Sequence, residues 1–115
     1  MNKTEEILDK NEIYGDELEH LLSERKNKRV EFLLVDVREE YEHNEKKIVG
    51  VDYLIPLSKF FNKVKDIDQY KSKHIITKCK VGGRSAQAQM QLKLLGFEKV
   101  INLSGGISKY KGQVT

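Results

Sequence analysis

The run Phe32-Leu33-Leu34-Val35-Asp36-Val37 is apolar at all but one position and is closed by charge at Arg38 and Glu39. A surface helix would break such a run with polar residues, and a half-buried strand would alternate. A short continuous run fits a central strand covered on both faces, the habit of parallel sheets. Similar short segments recur at His74-Ile75-Ile76-Thr77-Lys78, at Lys99-Val100-Ile101-Asn102 and at Tyr53-Leu54-Ile55. The last is closed by Pro56, the only proline, which cannot donate to a ladder. Glu12-Ile13-Tyr14 reads as a short edge strand.

Helical patterns separate these strands. Asp16 to about Lys26 carries Leu18, Leu21 and Leu22 on one face, with Gly15 or Asp16 at its start. Glu39 to about Lys46 reads as a short polar helix. Ser58 is placed to cap a helix whose inner face uses Phe60, Phe61 and Val64. From Ser85 to Leu95, the residues Ala88, Leu92 and Leu95 form one stripe, and Gly96 suits the position just past the helix end. Gly105-Gly106 precede a short terminal helix. Strands alternating with helices predict an α/β fold, a mostly parallel sheet of about five strands with helices on both faces. The 115 residues suffice for one domain, 1–115, with a folded core over about 12–112 and a loose polar lead-in over 1–11.

The basic excess is small, a net charge of +3 from 21 basic and 18 acidic residues spread along the chain. This is a solvated surface rather than a basic stripe, so no nucleic-acid partner is expected. No apolar stretch approaches the ~20 residues of a membrane span, and the N-terminus lacks the apolar core of a signal peptide. A single cysteine forms no internal disulfide and implies no oxidising compartment. The expectation is a cytoplasmic protein with no membrane partner. His20, His43 and His74 lack metal-ligand spacing, and neither a metal nor a cofactor is expected.

That cysteine opens the turn Cys79-Lys80-Val81-Gly82-Gly83-Arg84-Ser85 between a strand and a helix. In open α/β sheets, ligands bind outside the carboxyl ends of the strands, where a loop enters a helix. Gly82 and Gly83 permit φ > 0, so successive N–H groups can turn inward as an anion cradle. The helix start adds unpaired N–H groups, with Ser85 as its N-cap, and Lys80 and Arg84 add full charges. All of these favour thiolate over thiol. Lowering a cysteine pKa by about two units takes roughly 2.7 kcal/mol of preferential thiolate stabilisation. A helix terminus contributes roughly 0.3–2 kcal/mol, so loop amides or a cation supply the rest. Cys79 is expected to be a low-pKa nucleophile.

A cysteine in an oxyanion cradle suits phosphoryl or sulfur transfer. Cysteine phosphatases place their arginine one position further along than Arg84, which follows Cys79 by five. The smaller ring better matches a cysteine that carries one extra sulfur. Over about residues 12 to 112 the chain resembles the single-domain rhodanese-like sulfurtransferases. Leu34-Val35-Asp36-Val37-Arg38-Glu39 looks like that family's strand ending in Asp-Val-Arg. Ile48-Val49-Gly50 with Ile55-Pro56-Leu57 is similar to its Ile-x-Gly-Ala…Ile-Pro-Leu segment, and Cys79 to Ser85 to its active loop. Gly96-Phe97…Val100…Leu103-x-Gly105-Gly106-Ile107 resembles the closing signature. Loop and tail look closest to rhodanese domains attached to enzymes that adenylate sulfur-carrier proteins. Tyr110 stands where tryptophan is usual, Lys47 where histidine is common, and Val51-Asp52-Tyr53 replaces an alanine-containing turn.

The resemblance implies a rhodanese-like fold and ping-pong transfer of a sulfane sulfur through a Cys79 persulfide. The donor is a small anion, thiosulfate or a persulfide; the acceptor is a thiol or carrier protein, or cyanide in an assay. The amides from Lys80 through Val81, Gly82, Gly83 and Arg84 to Ser85 hold the persulfide. Arg84 is expected to orient the loop by binding a carboxylate or carbonyl, and Lys80 to meet the donor. For Asp36 and Arg38, a structural ion pair or turn cap is favoured over a direct role in the site. A non-catalytic rhodanese-like binding or regulatory module is the alternative, followed by a cysteine phosphatase or arsenate reductase.

Overall fold

In the computed structural model, which describes all 115 residues, five strands form one sheet. They are β1 (Glu12–Ile13), β2 (Leu33–Asp36), β3 (Tyr53–Leu54), β4 (His74–Lys78) and β5 (Lys99–Leu103). Their order is β1-β5-β4-β2-β3, and every neighbouring pair is parallel. The sheet divides the apolar residues into two cores by simple alternation. Leu34, Ile76, Ile101 and Leu103 face one side and pack with Leu18 and Leu21 of α2 (Gly15–Lys26). Val35, Ile75 and Val100 face the other, against Ala88 and Leu92 of α5 (Gly83–Leu94) and against Phe60 and Ile67. The continuous apolar runs are thus explained: each central strand is buried on both faces.

Residues 1–11 are not a loose lead-in. Lys3–Leu8 form α1, started by Asn2, whose side chain accepts from the Glu5 N–H while Glu5 reaches back to the Asn2 N–H. Ile7 and Leu8 join the first core. Two adjacent apolar residues in a polar stretch show no period, so the local pattern was silent and packing beside α2 decided the outcome. The segment after Pro56 also differs from one helix. It is a 3₁₀ turn (Leu57–Lys59), a single α-turn α4 (Phe60–Lys63) and a 3₁₀ stretch (Val64–Tyr70). Phe60 and Ile67 are buried there, whereas Phe61 is exposed. Ser58 caps nothing and donates to the Glu39 carboxylate at 2.8 Å. Leu95, expected on the stripe with Ala88 and Leu92, is exposed because it lies past the last turn of α5, and Gly96 at φ +96° takes the left-handed position expected beyond that helix.

Register fixes what gathers at the carboxyl edge. Asp36 on β2 lies opposite Lys78 on β4, and Thr77 on β4 opposite Asn102 on β5. The short polar helix α3 (Glu40–Glu45) has no buried residue and reaches this edge through Glu42 and His43. No helix is long and apolar enough to cross a membrane.

Candidate active site

Cys79 follows directly on β4, and its chain turns at once into α5. The Gly82 N–H donates to Cys79 Sγ at 3.0 Å, and the Ser85 hydroxyl lies 3.3 Å from the same sulfur. Ser85 is therefore not the N-cap. Gly82 occupies that position at φ +111°, and Ser85 sits in the first turn of α5 with its side chain buried. Its Oγ is also 3.2 Å from the Gly82 carbonyl. A hydroxyl has one proton, and a thiolate only accepts, so ionising Cys79 directs that proton to sulfur. Of the two glycines only Gly82 has positive φ. Gly83 is the first residue of α5, and a Cβ there would meet nothing within 4 Å.

Burial alone would push the Cys79 thiol up. Hydrogen bonds from the Ser85 hydroxyl and from the N–H groups of Ser85, Gly82 and Val81 outweigh it and hold the thiol below its usual value. The sulfur-bearing residue is buried, while Lys80, Val81 and Gly83 around it are exposed.

Five residues outside the loop hold it. The Asn102 amide donates to the Gly82 carbonyl at 3.2 Å, and Thr77 Oγ1 to the Ser85 carbonyl at 3.0 Å. The Ile107 and Ser108 N–H groups donate to the Cys79 and Lys80 carbonyls, each at 3.0 Å. Arg84 binds the Glu42 carboxylate of α3 with both arms of its fork, at 2.7 and 2.9 Å. It thus meets a carboxylate, as expected, and its fork is occupied. The Arg84 guanidinium holds the Glu42 carboxyl down at about 2.

A depressed carboxyl pKa adds stability above its unfolded value, lost as pH falls through the folded one. Arg84 is about a third exposed, so screening leaves a contribution on the order of 1 kcal/mol. Glu42→Gln is expected to lose that much at pH 7, the difference from wild type shrinking between about pH 5 and 2 in denaturant titrations. A difference that stays constant over that range contradicts the assignment.

Asp36 and Arg38 form the structural pair. Both are buried, and Arg38 Nε and Nη2 lie 3.1 and 2.9 Å from the Asp36 carboxylate oxygens. The Arg38 N–H also donates to Oδ1 at 3.0 Å. Two further groups crowd Oδ2: His43 Nδ1 of α3 at 2.9 Å and Lys78 Nζ at 3.1 Å. Burial would raise the Asp36 carboxyl, but Arg38, Lys78 and His43 together take it to about 2. Because this carboxylate only accepts, the Nδ1 of His43 carries the proton.

Sequence reasoning did not single out Glu42, His43, Lys78, Asn102 or Gly106 as parts of the site. Lys78 alone left a local signal, a lysine at the inner end of an apolar strand beside the cysteine. A surface hollow of about 530 Å³, lined by Arg25, Phe32, Leu33 and Lys73 among others, does not include the cysteine loop.

Comparison with known proteins places this geometry in a family. Residues 15–113 match the rhodanese-like domain. A tRNA uridine(34) hydroxylase of Cytophaga hutchinsonii is 36% identical over 85 residues, covering 71% of this chain and 27% of that protein. The rhodanese-like/PpiC domain-containing protein 12 of Arabidopsis thaliana chloroplasts is 37% identical over 83 residues, 70% of this chain and 27% of that protein. The chain therefore spans about a quarter of the length of these relatives. A rhodanese-like domain protein from Staphylococcus aureus superposes with a TM-score of 0.76 at 26% identity, covering 90% of this chain and 94% of that one. With the family matched over nearly the whole sheet and the cysteine loop in its expected place at the end of β4, the chain belongs to the rhodanese-like family.

Proposed function

We propose that this protein is a sulfurtransferase that carries a sulfane sulfur on Cys79. The observation that carries the reading is the hydrogen-bonded sulfur itself: Cys79 Sγ receives the Gly82 N–H and the Ser85 hydroxyl inside a loop closed by Arg84 and Glu42. Such a ring stabilises an anionic sulfur, and its cysteine-to-arginine spacing is one residue shorter than that of cysteine phosphatases, which disfavours the phosphatase reading.

In the first step the Cys79 thiolate attacks the outer sulfur of thiosulfate or a similar donor. A new S–S bond forms, the donor's S–S bond breaks, and the electron pair leaves with sulfite. The product is a Cys79 persulfide, a reversible cysteine state. In the second step an acceptor thiolate attacks the terminal sulfur and takes it, and the electron pair of the broken bond returns to Cys79 as thiolate. Dividing the transfer lowers each barrier. The exposed Lys80 is suited to draw in an anionic donor, while Arg84, bound to Glu42, shapes the loop. With no second cysteine, the persulfide depends on an external thiol or carrier protein.

Intact mass after incubation with thiosulfate tests the reading. A gain of about 32 Da, one sulfur, absent in Cys79→Ser, is the expected result. No gain with thiosulfate or with a persulfide donor would favour a binding module, and Cys79-dependent phosphatase activity would favour the phosphoryl reading.

A further inference from the structure

Two cations near Cys79 contribute no net charge to its interior. Arg84 is neutralised by Glu42 in a bidentate pair, and Lys80 lies in solvent. Lys78 differs. Its side chain is 0% exposed, and it immediately precedes the cysteine on β4. Nζ lies 3.1 Å from Asp36 Oδ2, at an angle that makes an ion contact and leaves Nζ with no directed hydrogen bond. Asp36 is already bound by both side-chain arms of Arg38 and by His43. The buried cluster therefore holds one carboxylate against two cations, Arg38 and Lys78. An unbalanced buried charge is unfavourable unless an anion lies close by. The adjacent residue that can become one is Cys79.

We propose that Lys78 is a positioning residue whose buried ammonium balances the negative charge of the Cys79 sulfur, as thiolate and as persulfide. This deepens the sulfur-carrier reading and rests on it for the persulfide. The titratable and charged groups facing the cluster are Asp36 from β2, Arg38 just beyond it, His43 and Glu42 from α3, and Cys79 and Arg84 from the loop. Burial, aided by the Arg38 guanidinium, pushes the Lys78 ammonium down to about 8, opposed by the Asp36 carboxylate and by the Cys79 thiolate. Lys78 and Cys79 thereby favour each other's charged forms, and such coupling is reciprocal.

The test follows alkylation of Cys79 by iodoacetamide against pH in wild type, Lys78→Met and Lys78→Arg. Lys78→Met is expected to raise the midpoint by about one pH unit and slow alkylation roughly tenfold below it, with Lys78→Arg close to wild type. An unchanged midpoint in Lys78→Met, or an equal rise in both variants, overturns the proposal. Should Lys78→Met fail to fold, reciprocity supplies the second measurement. By NMR of lysine labelled at Cε, Lys78 is expected to titrate at lower pH in Cys79→Ala than in wild type, and equal midpoints overturn the proposal. None of these readouts involves sulfur transfer. A shifted midpoint with no mass gain from a sulfur donor would defeat the sulfurtransferase reading and leave the charge coupling standing.

Discussion

Asp36→Asn is expected to destabilise the fold by about 3–5 kcal/mol at pH 6, the usual result of removing one partner from a buried ion cluster. The substitution preserves shape and leaves Arg38 and Lys78 buried without an anion; both sit against the Asp36 carboxylate, which is itself 0% exposed. Equilibrium unfolding in urea measures the loss. Its pH dependence identifies the cause. A lysine whose folded pKa lies below its unfolded value binds fewer protons when folded, so stability rises with pH between the two values. In wild type that window opens at about 8. Without Asp36 it opens lower, because the carboxylate that held the ammonium charged is gone. The deficit of Asp36→Asn is therefore expected to shrink from pH 6 to pH 9. A loss below about 1 kcal/mol, or one independent of pH, would show that the cluster is not an ion pair in solution.

Gly106→Ala is the second large effect, and it acts through the backbone. Gly106 has φ +55°, and a Cβ there would clash with the Lys80 carbonyl oxygen and lie 2.6 Å from that of Cys79. Both contacts are main-chain atoms of the loop, so no flexible side chain can yield. The same segment donates Ile107 N–H to Cys79 O and Ser108 N–H to Lys80 O. Relieving the clash means moving the loop away from these donors. The expected result is a loss of roughly 3 kcal/mol in stability. Cys79 alkylation is expected to slow by about 100-fold, because displacing a reacting group by about an ångström has that effect. Gly83→Ala is the matched control for stability, since its Cβ meets nothing and the position is helical. Removing glycine there is expected to leave stability unchanged or raise it by about 0.5 kcal/mol. Equal stability of both variants would mean that the closing segment does not brace the loop.

How far these features were legible follows the range of the forces behind them. The apolar run at 32–37, the strand at 74–78 and the stripe of Ala88 and Leu92 are set by neighbours a few residues away, and sequence periodicity reports them directly. The cysteine turn was legible for the same reason: its hydrogen-bond donors, Gly82 and Ser85, lie three and six residues from Cys79. Even so, residue type alone misplaced two details. Gly82 takes the N-cap that Ser85 was expected to hold, and Gly83 is helical, because the route of the chain into α5 sets both.

What the sequence by itself determined is the parallel sheet, its double burial and the place of Cys79 at a strand end. Local hydrophobic spacing and turn chemistry suffice for these. The tertiary structure alone decided what surrounds the sulfur. Parallel crossovers carry Glu42 to Arg84 across 42 positions of chain, and they set Asp36 against Lys78 across the β2–β4 register. They also bring Gly106 onto the carbonyls of Cys79 and Lys80. Charge pairing and close backbone contact over such separations depend on the path of the chain, which no local pattern records.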